Sequence, residues 1–145
     1  MEIRAFSIED EQAVIELWRK CELVRPWNNP QSDIRRKLKV NPELFLVGTI
    51  KGKIIATAMG GYEGHRGWVN YLAVDPIYQR NGYGRQLMAE LEKRLLKLGC
   101  PKINLQVRNG NSSALEFYHK IGYKTDDVIS LGKRLITDPE SEEKR

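Results

Sequence analysis

The chain has 145 residues, of which 41% are hydrophobic and 30% are charged, and its formal net charge at pH 7 is +5. A chain of this length and composition is typical of one globular domain that buries a core. Its apolar runs are shorter than the roughly 20 residues of a membrane-spanning helix, and its first residues lack the layout of a secretory signal peptide. The positive charge is compatible with binding nucleic acid or a smaller polyanion.

The cysteines, Cys21 and Cys100, lie far apart and belong to no Cys-x-x-Cys or Cys/His cluster. This spacing predicts neither a zinc site nor a disulfide framework, so we expect no metal. Unpaired cysteines are typical of a reducing compartment. Together with the N-terminal sequence, they predict a cytoplasmic protein without a membrane partner.

The first half of the chain predicts a strand, two helices and then three strands. Ser7 followed by Asp10 is a typical start of a helix, and Pro26 and Pro30 interrupt the helical pattern because each lacks a backbone donor. Glycine-containing turns between the last three strands indicate hairpins. The predicted elements are a strand over 2–6, helices from Ser7 to about Cys21 and from Asn29 to about Val40, and strands over 44–50, 54–62 and 68–74.

The second half predicts a helix, a strand, a second helix and two short strands. An apolar stripe with helical spacing begins after Gly84 and ends before Gly99, which is a typical helix stop. The predicted elements are helices over 84–98 and 111–121 and strands over 102–107, 123–125 and 128–136. The charged tail over 137–145 is predicted to be disordered.

The element order is therefore β-α-α-β-β-β-α-β-α-β-β, which predicts an α+β domain over residues 1–136. Short turns join antiparallel strands, whereas the helix between the strands at 68–74 and 102–107 requires a parallel crossover. We expect a single central sheet that is mostly antiparallel, contains one parallel pair and is flanked by helices.

The stretch QRNGYGRQL, residues 79–87, places two glycines between a strand and a helix. Glycine lacks a Cβ, so backbone amides can converge on a ligand there, and a helix N-terminus attracts phosphate. An ordinary strand-to-helix turn explains the glycines equally well. The chain has no Walker A pattern, and Leu87 stands where a dinucleotide-binding fingerprint requires a small residue.

Two linked patterns resemble those of the GNAT superfamily of acyl-CoA-dependent N-acyltransferases. The segment LAVDPIYQRNGYGRQLM resembles its Q/R-x-x-G-x-G/A motif through Gln79, Gly82 and Gly84. The segment NGNSSALEFYHKIGY resembles its N-x-x-A-x-x-F-Y-x-K-x-G-F/Y signature. The resemblance extends over residues 1 to about 136 and is strongest to the small bacterial YpeA-type members, which share the RPWN element.

This resemblance implies that acetyl-CoA is the cosubstrate. Backbone groups on the strand before the glycine turn would pair with the pantetheine arm as an added strand does, and the turn would hold the pyrophosphate. The implied cofactor-binding residues are Leu72, Ala73, Val74, Gln79, Arg80, Asn81, Gly82, Tyr83, Gly84, Arg85, Asn111 and Tyr118.

Tyr118 is implied as the general acid that protonates the departing thiolate, because a phenol is protonated at neutral pH. The alternative is a packed aromatic residue beside Phe117. The general base is less clear, because Gln106 stands where some relatives carry a glutamate. Glu63 is the predicted base and His65 is a further candidate, although an exposed turn explains both residues equally well.

The resemblance places the acetyl acceptor beside the first two helices and the loop that joins them. The residues predicted to bind the acceptor are Arg25, Trp27, Asn70 and Gln106. Basic residues between Arg35 and Lys39 favour an acidic acceptor, or else form a solvated helix face.

The sequence therefore predicts an N-acetyltransferase that moves an acetyl group to a primary amine of a small molecule or peptide in a ternary complex. A non-catalytic acyl-CoA-binding module stays open because Gln106 replaces a carboxylate. A basic nucleic-acid-binding protein is the third alternative, although the chain lacks a recognisable reading motif. A homodimer is compatible with the sequence.

Overall fold

The computed structural model describes residues 1–139. The strands are β1 (Glu2–Ala5), β2 (Phe45–Ile50), β3 (Lys53–Tyr62), β4 (Gly67–Val74) and β5 (Ile103–Leu105). The α-helices are α1 (Glu11–Lys20), α2 (Pro30–Lys37), α3 (Tyr83–Lys97) and α4 (Ser112–Lys120). Short 3₁₀ helices precede α1 (Ile8–Asp10) and β2 (Pro42–Leu44) and follow β4 (Pro76–Tyr78).

The strands form one sheet in the order β1-β2-β3-β4-β5. The first four strands pair in antiparallel fashion, and β4 and β5 pair in parallel across the α3 crossover. The predicted α+β class and the mixed sheet with one parallel pair are therefore confirmed. Helices flank this sheet, as the sequence indicated.

The prediction of two strands at 123–125 and 128–136 is wrong, because no strand follows α4 in the described residues. The apolar, partly β-branched residues of 128–136 favour a strand locally, but a strand also needs a partner to which it can hydrogen-bond. The neighbouring edge strand, β5, offers only 3 residues. The apolar side chains of the segment are 64% to 91% exposed: Val128, Ile129, Leu131, Leu135 and Ile136.

Two apolar clusters lie on opposite faces of the sheet. Phe45 and Val47 of β2 pack with Trp18 of α1, whereas Leu46 packs with Leu91 of α3. This separation follows from strand geometry, since successive side chains of a strand point to opposite faces. The helices α1 and α2 therefore cover one face of the sheet, and α3 covers the other.

Gly60 in β3 allows α3 to approach the sheet. A Cβ added there would lie 2.5 Å from Cδ1 of Leu91 and 3.2 Å from the carbonyl oxygen of Leu44. We expect Gly60→Ala to lower the free energy of unfolding by about 1–3 kcal/mol, as overpacked cores do. Urea denaturation would measure this change as a lower midpoint.

The neighbouring glycine provides the matched control for this substitution. A Cβ at Gly61 would lie 3.4 Å from Nζ of Lys37, a flexible side-chain end that can move away. Gly61→Ala should therefore leave the midpoint nearly unchanged. Equal losses in Gly60→Ala and Gly61→Ala would contradict the packing explanation.

The start of the predicted tail contacts α2. Asp138 forms an ion pair with Arg36, and the side-chain amide of Asn29 donates to the carbonyl of Pro139 at 2.9 Å. The rest of that tail, residues 140–145, lies outside the described residues. The domain boundary at residue 136 stays a prediction.

Candidate active site

The edge of β4 that faces β5 is open over its second half. Parallel pairing ends at Val69 opposite Leu105, although β4 continues to Val74. The backbone groups of residues 70–74 on this side have no strand partner within residues 1–139. An edge of this kind can take up an extended, amide-bearing chain as an additional strand. Three residues predicted to bind the cofactor lie along it: Leu72, Ala73 and Val74.

A bulge in β4 lies beside this open edge. The register between β3 and β4 shifts between Thr57 and Met59, and Tyr71 adopts a left-handed conformation with φ 53°. Tyr71 stacks on Trp18 with ring centroids 3.7 Å apart. The Thr57 hydroxyl donates to the carbonyl of Tyr71 at 2.9 Å and accepts a 2.9 Å hydrogen bond from the Trp18 indole. These contacts hold Tyr71 in a conformation that is unfavourable for a bulky residue.

The glycine turn lies after β4, directly before α3. Gly82 precedes the first helical residue and has φ 81°, and Arg80 is also left-handed with φ 66°. The backbone amides of residues 80–85 find no acceptor in the part of the chain that the structure describes. Unpaired amides at a helix N-terminus favour a phosphate group.

Two side chains of the turn fix its shape. The side-chain amide of Gln79 donates to the carbonyl of Val74 at 2.9 Å, and that of Asn81 donates to the carbonyl of Tyr78 at 3.1 Å. The turn is therefore tied back to the end of β4, which keeps its main-chain amides free for another partner.

Gly84 connects the two predicted motifs in space. A Cβ at this position would lie 3.3 Å from Cζ of Phe117 and 3.5 Å from Cγ2 of Val74. Because Gly84 has no side chain, the first turn of α3 lies close to both α4 and the end of β4. The glycine turn and the signature on α4 therefore lie next to each other in the folded chain.

Tyr118 on α4 is partly buried, and its ring packs edge-on against Phe117 and Tyr123 at centroid distances of 5.1 and 5.8 Å. Burial raises the pKa of the phenol to about 12. Its hydroxyl makes no hydrogen bond to any residue in the described range 1–139. Tyr118 is thus a protonated donor at neutral pH whose hydrogen is available to a ligand.

Asn111 has a local structural role at the start of α4. Its side-chain oxygen accepts a 3.1 Å hydrogen bond from the backbone amide of Ala114, which caps the helix. This contact explains the asparagine of the motif through helix stability. The predicted contact between Asn111 and the cofactor stays a prediction.

The structure does not bring Glu63 or His65 towards the glycine turn. Both residues are exposed in the turn between β3 and β4, next to Gly67, whereas the glycine turn follows Val74 at the other end of β4. The Glu63 carboxylate accepts hydrogen bonds from the backbone amides of His65 and Arg66. These contacts agree with the interpretation of Glu63 as a turn residue.

The residues predicted to bind the acceptor lie in two places. Asn70 and Gln106 are both exposed, and strand alternation directs Asn70 away from the α3 face on which Val69 packs. Gln106 directly follows the last residue of β5. Gln106 also donates to the hydroxyl of Ser130. This pair can therefore contact a ligand beside the open edge of β4.

Arg25 and Trp27 lie in the loop between α1 and α2. The Trp27 ring is 52% exposed, and the guanidinium of Arg108 lies 5.5 Å from its centroid. The Nε atom of Arg25 is buried without a hydrogen-bond partner among the described residues. A cavity of about 320 Å³ next to this loop is lined by Pro26, Trp27, Arg134, Thr137 and Asp138.

Carboxylates already pair with part of the basic cluster on α2. Arg35 lies 3.1 Å from Glu11, and Arg36 lies 3.6 Å from Asp33 and also pairs with Asp138. These ion pairs neutralise two of the charges on which the acidic-acceptor hypothesis depends. The structure therefore favours the alternative, a solvated helix face.

Sequence reasoning missed Asp33 and Tyr71. The Tyr71 hydroxyl donates a 2.6 Å hydrogen bond to Oδ2 of Asp33. Burial raises the pKa of the Asp33 carboxyl, and the hydrogen bond from Tyr71 opposes that rise. The sequence signal that could have drawn attention to Asp33 is its position directly before Ile34, the residue of α2 that is buried in the core.

Neither a metal centre nor a membrane span is found in the described residues. No group of three or more His, Cys, Asp or Glu side chains is placed to hold a metal among residues 1–139. None of the helices in the same range is long and apolar enough to cross a membrane.

Known proteins are similar to this chain in both sequence and fold. Residues 11–123 match the family described as "Acetyltransferase (GNAT) family". An acetyltransferase of Yersinia pestis is 51% identical over 140 residues, which cover 97% of this chain and 99% of the relative.

Two solved structures are similar as well. The ribosomal-protein-S18-alanine N-acetyltransferase from Escherichia coli has 25% identity and a TM-score of 0.69, over 83% of this chain and 76% of that chain. The enzyme AAC(6')-Iy, solved with a CoA-containing bisubstrate analogue, has 16% identity and a TM-score of 0.75, over 92% and 97% of the two chains. Because the family model spans most of the chain and the Yersinia pestis relative aligns along nearly all of it, the chain belongs to the GNAT family and is an acetyltransferase.

Proposed function

We propose that the protein transfers the acetyl group of acetyl-CoA to a primary amine by direct attack in a ternary complex. The observation that carries this proposal is the continuous path from the open edge of β4 to the unpaired amides of the glycine turn. The pantetheine arm would pair with residues 72–74, and the pyrophosphate would lie on the unpaired amides of residues 80–85.

Tyr118 is the proposed general acid. The neutral amine nitrogen attacks the thioester carbonyl carbon, the C–N bond forms, and the C–S bond breaks as the tetrahedral intermediate collapses. The CoA thiolate takes the phenolic proton of Tyr118, and the nitrogen releases a proton as the amide forms. A phenol whose pKa is raised to about 12 is protonated at neutral pH, so its proton is present when the C–S bond breaks.

The similar proteins support an amine acceptor without fixing its identity. The name of the Escherichia coli enzyme specifies a protein alanine, and the analogue bound to AAC(6')-Iy contains acetylneamine. These acceptors differ greatly in size and charge, so the chemistry of the reacting group is what they share. We therefore propose a primary amine of a small molecule or a peptide as the acceptor. We also propose that the enzyme acts in the cytoplasm.

A screen of amines tests this function directly. Purified protein, acetyl-CoA and a panel of aminoglycosides, polyamines and peptides with free N-termini should yield an N-acetylated product and one free CoA thiol per product. Mass spectrometry would identify the product, and a thiol reagent would count the CoA. Binding of acetyl-CoA without transfer to any amine would instead support the non-catalytic acyl-CoA-binding module.

A further inference from the structure

We propose that Asp33 binds the ammonium group of the acceptor and removes its proton, and that Tyr71 positions the Asp33 carboxylate for this step. The inference rests on the proposed function, because it assigns the missing base of the same transfer. It replaces Glu63, which lies at the end of β4 far from the glycine turn and whose carboxylate accepts hydrogen bonds from its own turn.

The location of Tyr71 connects Asp33 with the reacting end of the cofactor. Tyr71 directly precedes residues 72–74, the open edge on which the pantetheine arm would lie. Its side chain extends towards α2 and ends in the 2.6 Å hydrogen bond to Asp33. Asp33 therefore lies on the α1 and α2 side of β4, where the acceptor is expected.

The structure holds Tyr71 in this place at a conformational cost. A left-handed φ of 53° is unfavourable for a side chain of this size. The stack on Trp18 and the hydrogen-bond chain through Thr57 fix the residue from the core side. Backbone strain that is stabilised in this way is frequent at functional sites. The strained residue and its carboxylate partner therefore act as one unit.

Asp33 keeps the capacity to bind a cation. A carboxylate offers about four lone-pair sites. Among residues 1–139, the Asp33 carboxylate accepts the hydrogen bond from Tyr71 and forms a long ion pair with Arg36 at 3.6 Å. Its side chain is 30% exposed, so an acceptor can reach the free lone pairs. An ammonium group carries three donors and matches this acceptor-only group.

Charged groups from several elements face Asp33. Arg36 lies on α2, Arg134 and Asp138 approach from the segment after α4, and Tyr71 faces it from β4. The arginines and the Tyr71 hydrogen bond lower the pKa of the carboxyl, whereas burial and Asp138 raise it. Burial is the largest of these effects, so the carboxylate is a stronger proton acceptor than an exposed aspartate.

The protons balance in the resulting scheme. A primary amine is mostly protonated at pH 7. Asp33 takes one N–H proton, which forms a carboxylic acid and leaves a neutral amine that can attack the thioester. The second N–H proton passes to solvent as the amide forms, and Tyr118 protonates the thiolate. Asp33 returns its proton to solvent, and solvent reprotonates Tyr118 before the next turnover.

Asp33→Asn tests the proposal, because asparagine keeps the size of the side chain but cannot accept the proton. With the best amine of the screen, we expect kcat to fall by about 10²- to 10⁴-fold, the usual range for a general base. The affinity for CoA, measured by calorimetry, should stay unchanged. Asp126→Asn is the matched control, because Asp126 is exposed and pairs with Lys102 at 2.9 Å, and its kcat should equal that of the wild type.

The pH dependence of kcat separates catalysis from structural support. Activity of the wild type should rise with pH as Asp33 ionises, and Asp33→Asn should lose this acid limb. Tyr71→Phe removes the hydrogen bond that lowers the pKa of Asp33. Its acid limb should therefore move to higher pH while turnover persists. This variant keeps the ring that stacks on Trp18, so it also tests the proposal if Asp33→Asn does not fold.

The outcomes distinguish the base from the function. If the wild type acetylates an amine and folded Asp33→Asn retains turnover within about threefold, far below the usual range, Asp33 is not the base although the function stands. An unmoved acid limb in Tyr71→Phe would overturn the positioning role of Tyr71. If the wild type acetylates none of the amines, the proposed function and this inference both fail.

Discussion

Tyr118→Phe should lower kcat by about 10²- to 10⁴-fold, the usual contribution of a general acid, while the affinity for CoA changes little. The substitution removes only the hydroxyl, so the ring can keep its edge-on contacts with Phe117 and Tyr123. Because the lost interaction matters mainly when the thiolate departs, kcat and kcat/KM should fall together. Steady-state kinetics with the best amine, combined with circular dichroism, would measure the effect.

Tyr123→Phe is the matched control for this experiment. Tyr123 packs against Tyr118, but its hydroxyl already donates to Glu92 at 2.7 Å. Removing this hydroxyl should leave turnover close to that of the wild type, although it can lower stability. A folded Tyr118→Phe enzyme within about threefold of the wild type, far below that range, would mean that another group protonates the thiolate.

The assay pH gives a second check on Tyr118. Since burial raises the pKa of the phenol to about 12, the residue stays protonated from neutral pH to well above pH 9. Loss of activity between pH 7 and pH 9 in the wild type therefore cannot come from ionisation of Tyr118. A wild-type alkaline limb in that interval that disappears in Tyr118→Phe would contradict the assigned protonation state.

The parts of the fold that sequence could predict are those with local signals. Ser7 with Asp10 and Asn29 with Pro30 mark helix starts, and the structure contains the expected hydrogen bonds at both places. Alternation predicted β1, and apolar runs between glycine-containing turns predicted β2 to β4, with small errors at the strand ends. Local patterns are sufficient for these elements because the spacing of apolar residues within each element already shows which of its faces is buried.

Non-local contacts explain what the sequence could not predict. The apolar residues of 128–136 predicted a strand, but β5 ends at Leu105 and offers little edge to which a strand could pair. The bulge at Tyr71 could not be predicted from the sequence either. In a regular strand Val69 and Ala73 would lie on the same face, but in the structure Val69 packs in the α3 cluster and Ala73 in the α1 cluster. Asp33 and Tyr71 meet only in the folded chain, since they are 38 positions apart.

The two motifs that we propose to bind acetyl-CoA were recognisable from sequence because each is local, and Gly84 brings them together in space. The base was not, because its proposed carboxylate belongs to no motif. Sequence reasoning chose Glu63 for its chemistry alone. The structure shows that the same carboxylate caps its own turn.

Gly82→Asp should weaken the binding of CoA by at least about tenfold, which corresponds to about 1.4 kcal/mol. Gly82 has φ 81° and no atom within 4 Å of an added Cβ, and the amides on both sides of it in the turn are unpaired among the described residues. The aspartate would add negative charge where the pyrophosphate is expected. A carboxylate near a helix N-terminus is favourable for the helix itself, so the fold should persist.

Gly99→Asp is the matched control, because Gly99 has φ 87°, also meets no atom within 4 Å, and follows the other end of α3. Both substitutions add the same charge and the same left-handed strain, but only Gly82 lies at the proposed phosphate site. Isothermal titration calorimetry with CoA should therefore show a large loss of affinity in Gly82→Asp and wild-type affinity in Gly99→Asp. Equal affinities in the two folded variants would mean that the pyrophosphate binds elsewhere, whatever the glycine turn contributes to the fold.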